Sequence, residues 1–154
     1  MPTVARSCEI AADAERVWTF AVDPRNLPKW WPGTTAVRSV RGSAGIGQTW
    51  RQVFVTKKGR EVAADQKCSE YEAKRSWSFE QQTEGTPFEK ILRSARVELR
   101  LDADDGATLV TLRLERRMRG MSALGGIFVR RAGARTLNHA LGNLRERFPG
   151  EKAR

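Results

Sequence analysis

Between residues 34 and 118 the chain alternates apolar and polar side chains with a period of two. It does so in six successive stretches, 34–41, 47–56, 60–71, 75–83, 90–102 and 107–118. Turn residues fill four of the five gaps: Gly42, Gly45 and Gly47, then Lys58-Gly59, then Glu84-Gly85-Thr86-Pro87, then Asp104-Asp105-Gly106. Strands joined by short turns can only pair antiparallel, so the pattern predicts a meander. The alternation also assigns faces. Ile91, Ala95, Val97, Leu99 and Leu101 share one side of their stretch, as do Val110, Leu112, Leu114 and Met118, Trp77 and Phe79, and Trp50 and Phe54. A sheet with one apolar, aromatic-rich face needs a cover.

The flanks supply it. Residues 3–10 read as a strand. Asp13 offers an N-cap to a helix whose Ala14, Val17, Trp18 and Ala21 fall on one face. Asp23-Pro24 starts a second short helix, which Pro28 is expected to limit, and Trp30-Trp31-Pro32-Gly33 follows. Two adjacent indoles cannot share one face, so one is expected in the core and the other lining a cavity or lip. Beyond Gly120, residues 122–148 read as one helix of about 40 Å. Ala134, Leu137, Leu141, Leu144 and Phe148 form its apolar stripe. Leu124, Ile127 and Phe128 fall on a rotated face, which suits the mouth of a cavity. Gly125, Gly126, Gly133 and Gly142 leave room on this helix, either for a guest or for close packing.

At 154 residues the chain is read as one domain over 1–150 with a tail at 151–154. Residues 1–10 lack a signal-peptide core and no run nears the roughly 20 apolar residues that span a bilayer, so a soluble, cytoplasmic protein is expected. Cys8 and Cys68 stand apart without metal-ligand spacing and read as reduced thiols. The net charge is +10. Much of it is local: from residue 113 to 147 only Glu115 and Glu146 oppose a series of arginines. Such a field attracts anionic ligands or an anionic membrane surface. Without aromatic residues interleaved for stacking, it counts against nucleic acid.

Catalytic chemistry finds little footing. The lone histidine, His139, lies about 160° from the stripe and should face solvent. Without it no Ser/His/Asp set can be assembled, and no His/Cys cluster suggests a metal. Asp102, Asp104 and Asp105 mark a turn. Glu61, Asp65 and Glu80 should face outward, while Glu70 could follow Val62 and Ala64 inward. Cys68 shares that inward parity but has no partner base. The polar groups on the apolar parity are more informative: Gln48 and Gln52 beside Trp50 and Phe54, Gln66 beside Val62, Gln81 beside Trp77 and Phe79, and Arg93 between Ile91 and Val97. Amides on an aromatic wall suit carbonyls and hydroxyls, and a guanidinium suits an acidic head group.

The element order resembles the SRPBCC or START-like superfamily, most of all its polyketide cyclase/dehydrase-type branch. The resemblance is carried by Ala14-Glu15-Arg16-Val17-Trp18, Asp23-Pro24, Trp30-Trp31-Pro32-Gly33, Gly45-Ile46-Gly47, Asp105-Gly106-Ala107-Thr108, Arg119-Gly120 and Leu141-Gly142-Asn143-Leu144. It implies an α+β helix-grip fold: a curved antiparallel sheet of about seven strands around a long C-terminal helix, with two short helices after the first strand. It also implies a cavity between sheet and helix for a small hydrophobic ligand such as a lipid, quinone, polyketide or aromatic compound, with no cofactor. On both grounds the expected lining is Trp30, Trp31, Gln48, Trp50, Gln52, Phe54, Gln66, Trp77, Phe79, Arg93, Val97, Leu112, Leu124 and Phe128. Two alternatives stand beside binding. One is a polyketide cyclase or aromatase, in which Arg93 or a glutamine stabilises an enolate; the other is a basic module that docks on anionic membrane.

Overall fold

The computed structural model describes residues 3–56, 58–120 and 123–149, with the backbone alone for Ala123 and Leu124. Its strands are β1 (Thr3–Ile10), β2 (Thr34–Arg41), β3 (Thr49–Val55), β4 (Glu61–Glu72), β5 (Ser76–Gln82), β6 (Leu92–Asp104) and β7 (Ala107–Met118). They form one antiparallel sheet in the order β1-β7-β6-β5-β4-β3-β2. The meander therefore runs in sequence order from β2 to β7, and β1 adds to the free edge of β7. The last hairpin is built as its residues require: Asp105 and Gly106 both take positive φ, 52° and 84°, as a type I′ turn needs.

Helix α1 (Ala14–Ala21) is capped by the Asp13 carboxylate, which accepts from the Arg16 N–H at 2.9 Å. A single 3-10 turn, Pro24–Asn26, leads into α2 (Leu27–Trp30). Pro28 sits in the first turn of α2 and does not limit it; the N–H that proline lacks has no helical partner there. Both tryptophans that follow are buried, so neither stands at an exposed lip. Their rings meet edge to face, 5.7 Å apart at 86°, and that geometry fits two neighbouring indoles into one core. Helix α3 (Ala123–Arg147) clamps this core, and Asn143 Nδ2 donates to the Trp30 carbonyl at 3.1 Å.

Of the register shifts among the described strands, two reset the faces that simple alternation predicts on β4 and β6. One lies between Leu92 and Ser94 against β7, the other between Cys68 and Glu70 against β5. Each extra residue turns the side chains beyond it to the opposite face. Leu92 is buried while Ile91 and Arg93 are exposed, so the inward assignment of Ile91 and Arg93 is corrected. Glu70 likewise faces outward. Its Oε1 accepts from Ser78 Oγ at 3.1 Å and from Arg96 Nη2 at 3.4 Å, and Tyr71 packs against the core in its place.

Chain direction sorts the connections into two ends. At the α1 end lie the β2–β3, β4–β5 and β6–β7 connections. At the other, distal end lie β3–β4, β5–β6 and the passage from β7 to α3. Helix α3 runs from the distal end to the α1 end, packing mainly on β1 and β7. There Phe148 meets Phe20 edge to face at 6.0 Å, and the Arg147 guanidinium lies 4.8 Å from the centre of the Phe20 ring.

Candidate functional site

Strand register arranges the concave face in rows. One row is apolar: Val4 pairs with Leu114, Leu114 with Val97, Val97 with Phe79, and Phe79 with Cys68. The next row toward the distal end is different. Trp50 pairs with Gln66, Gln66 with Gln81, and Ala95 with Arg116. Because Phe79 faces Val97, Gln81 comes beside Ala95. A polar belt thus crosses the sheet, interrupted by the small side chain of Ala95.

The aromatic wall is packed on itself. Trp50 and Trp77 stack at 5.7 Å and 22°, and Phe79 meets Trp50 at 5.2 Å and Trp77 at 5.0 Å. Within this wall several buried polar atoms have no hydrogen-bond partner among the described residues: Trp50 Nε1, Gln52 Oε1 and Gln81 Nε2. Gln52 is fully buried, and its Nε2 donates to Thr34 Oγ1 at 2.7 Å, so the free oxygen is held in one direction. A buried polar atom without a partner costs on the order of 1–3 kcal/mol, which a guest's complementary group would recover. Burial pushes the Cys68 thiol above the ordinary value, more than the Glu70 backbone and the nearby Trp77 indole lower it. His139 is exposed, as its helical phase predicts. Among the described residues no group of His, Cys, Asp and Glu could hold a metal ion.

Helix α3 covers the two rows unequally. Gly126, Gly133 and Ala140 are spaced by seven, so they lie on one side of the helix within about 20° per step. At Gly133 the helix presses on the sheet: a Cβ there would stand 3.0 Å from Val4 Cγ1 and 3.3 Å from Leu114 Cδ2. At Gly126, nearer the distal end, a Cβ would meet nothing within 4 Å. Around that end the large apolar side chains are uncovered: Val55 is 41% exposed, Ile91 55%, Ile127 55% and Phe128 59%. At the α1 end a separate open groove of about 430 Å³ runs between Trp18, Val22, Pro24, Gly42, Gln48 and Tyr71.

The expected lining residues divide accordingly. Trp50, Gln52, Gln66, Trp77, Phe79, Val97 and Leu112 come together, buried, on the concave face, with Phe54 half-buried beside them. Gln48 lines the groove at the α1 end, its Nε2 donating to the Gly42 carbonyl at 3.3 Å. Trp30 and Trp31 belong to the core between α2 and α3. Phe128 is at the exposed distal rim, and the Leu124 side chain lies outside the described residues. Arg93 points to solvent. The guanidinium on the concave face is instead Arg116, half-buried, next in alternation after Val110, Leu112 and Leu114. The signal was present in the sequence, since Arg116 sits between Leu114 and Met118 on a face otherwise read as apolar.

A curved seven-stranded antiparallel sheet gripping one long C-terminal helix defines the START-like class of proteins. The chain belongs to the polyketide cyclase / dehydrase and lipid transport family, whose model matches residues 1–149. Solved structures share the fold. A START superfamily protein from Mycobacterium smegmatis is 15% identical, with a TM-score of 0.76 over 96% of this chain and 97% of that one. A protein from Thermus thermophilus is 21% identical, with a TM-score of 0.73 over 96% and 97%. The di-domain ARO/CYC StfQ from the steffimycin biosynthetic pathway is 11% identical, with a TM-score of 0.76 over 94% of this chain and 49% of that one. No curated protein matches the chain in sequence. Family and fold together support a ligand-binding role.

Proposed function

We propose that this protein binds a small hydrophobic ligand between the concave face and the distal half of α3, without chemistry. The observation that carries this reading is the contrast along one side of the helix, closed at Gly133 and open at Gly126, above a wall whose buried polar atoms lack partners. Burial of apolar surface supplies the affinity, at about 25 cal/mol per Å², and the belt amides orient the guest. The test is native mass spectrometry of the purified protein, with uptake of a hydrophobic fluorescent probe as a second readout. A bound small molecule, or probe uptake, that Gly126→Phe abolishes is the expected result. An empty protein that takes up no probe overturns the reading.

The cyclase alternative draws on the family description, but the arginine assigned to it, Arg93, is exposed. Membrane docking has a specific observation behind it. Lys58, Arg60, Lys90, Arg93, Arg117 and Arg119 are exposed around the apolar distal rim, and none of them makes an ion pair among the described residues. Apolar side chains ringed by such cations fit an anionic bilayer. Cosedimentation with phosphatidylserine vesicles that weakens sharply with salt and with Phe128→Asp is the expected result. Salt-independent binding, or none, overturns it.

A further inference from the structure

We propose that Arg116 anchors the head group of the ligand, and that the ligand is accordingly an amphipathic carboxylate: an apolar body ending in one carboxylic acid. The inference rests on the binding reading above and narrows it to one chemical class.

The argument begins with the company Arg116 keeps. On β7 the inward positions Val110, Leu112 and Leu114 are all buried, and Arg116 continues their line opposite Ala95. Other strand arginines that meet acids do so on the outer face: Arg51 pairs with Asp65 at 3.0 Å, Arg96 with Glu70 at 3.4 Å and Arg100 with Glu98 at 3.6 Å. The Arg116 guanidinium makes no hydrogen bond or ion pair with any described residue. Burial pulls its guanidinium below the ordinary arginine value, so the charged form is being penalised where it stands. A charge half-buried beside apolar neighbours without a counter-ion carries a desolvation cost.

The surroundings say what is missing. Ala95 leaves space in the row beside Arg116, and the Gln81 Nε2 donor beyond it is buried and unpartnered. Above the distal part of the sheet, α3 withdraws at Gly126. A guanidinium and an amide N–H on one row are both donors, so they call for an acceptor-rich group. One arginine fork matches one carboxylate in two parallel hydrogen bonds, whereas a phosphate dianion would leave charge uncompensated. The apolar side chains of Phe79 and Val97, away from the contact of Gly133 with Leu114, then receive the body of the ligand.

The experiment compares dodecanoate, dodecanol and dodecyl phosphate as probes of the whole protein, by tryptophan fluorescence and calorimetry. Wild type is expected to bind dodecanoate at least about tenfold more tightly than dodecanol, the scale of one charge-assisted pair. Arg116→Met should erase that preference and raise the melting temperature of the unliganded protein, because it removes an unpaired, half-buried charge. Arg116→Lys should restore part of the preference only. Equal binding of dodecanoate and dodecanol by wild type, or an unchanged preference in Arg116→Met, overturns the anchor while leaving the pocket standing. Tighter binding of dodecyl phosphate overturns the carboxylate. Failure of all three probes to bind overturns the pocket and the anchor together.

Discussion

The two halves of α3 meet the same sheet in different ways. Toward the α1 end Leu137, Ala140, Leu141, Leu144 and Phe148 are buried, and the helix is tied down through Asn143 and the Phe20–Phe148 contact. Toward the distal end Ile127 and Phe128 face solvent and Gly126 stands over open space. Closed packing and open apolar surface are thereby divided along one helix. A packed half can hold the fold only if it is closed, and a half that admits a guest must leave apolar surface uncovered, because close-packed interiors have no spare volume.

The comparison can be broken most forcefully at the two ends of the stripe. Leu144→Ala should cost about 2–5 kcal/mol, since it empties a fully buried site. Phe128→Ala should stay within about 0.5 kcal/mol. Urea titration measures both, and equal losses would show that the distal half is packed after all. A finer test uses the glycines. Gly126→Ala should stabilise by up to about 1 kcal/mol through helix propensity alone. Gly133→Ala gains the same propensity but drives a methyl toward Val4 and Leu114, and should be destabilising by about 1 kcal/mol net. Thermal unfolding of both variants decides, and a matched gain would remove the closed half from the argument.

The smallest effect is in pH. Burial raises both thiols above their ordinary value of 9.0, Cys8 beside Arg145 of the closed half and Cys68 on the concave wall. A raised value in the folded chain means the unfolded chain releases the proton first. The stabilisation is therefore complete below about pH 8 and is lost as pH climbs through the folded values. Cys68→Ala should flatten part of that alkaline decline in urea midpoints; an unaltered slope would assign the decline to other groups.

Much of the fold was legible because its signals are local. The Asp13 cap, the Asp105-Gly106 turn and the period-two stretches each depend on a few neighbouring residues, and the strands fall within two residues of their expected bounds. The site was legible in kind: Gln52, Gln66 and the ring cluster are where alternation puts them. It failed at Arg93 and Ile91, where a bulge inserts one residue against β7. The same rule, carried along β7 without a bulge, would have named Arg116. The depth of the tryptophan pair was not legible, because what two adjacent indoles pack against depends on what α2 and α3 bring to them.

By itself the sequence determined the kinds of element, their order and the sidedness of each uninterrupted strand, since backbone geometry and hydrophobic period act within a few residues. Only the tertiary structure decided that β1 closes on β7, that the bulges turn Arg93 out, and that α3 presses at Gly133 and lifts at Gly126. Those outcomes depend on partner strands and on the distance between layers, which no local pattern carries.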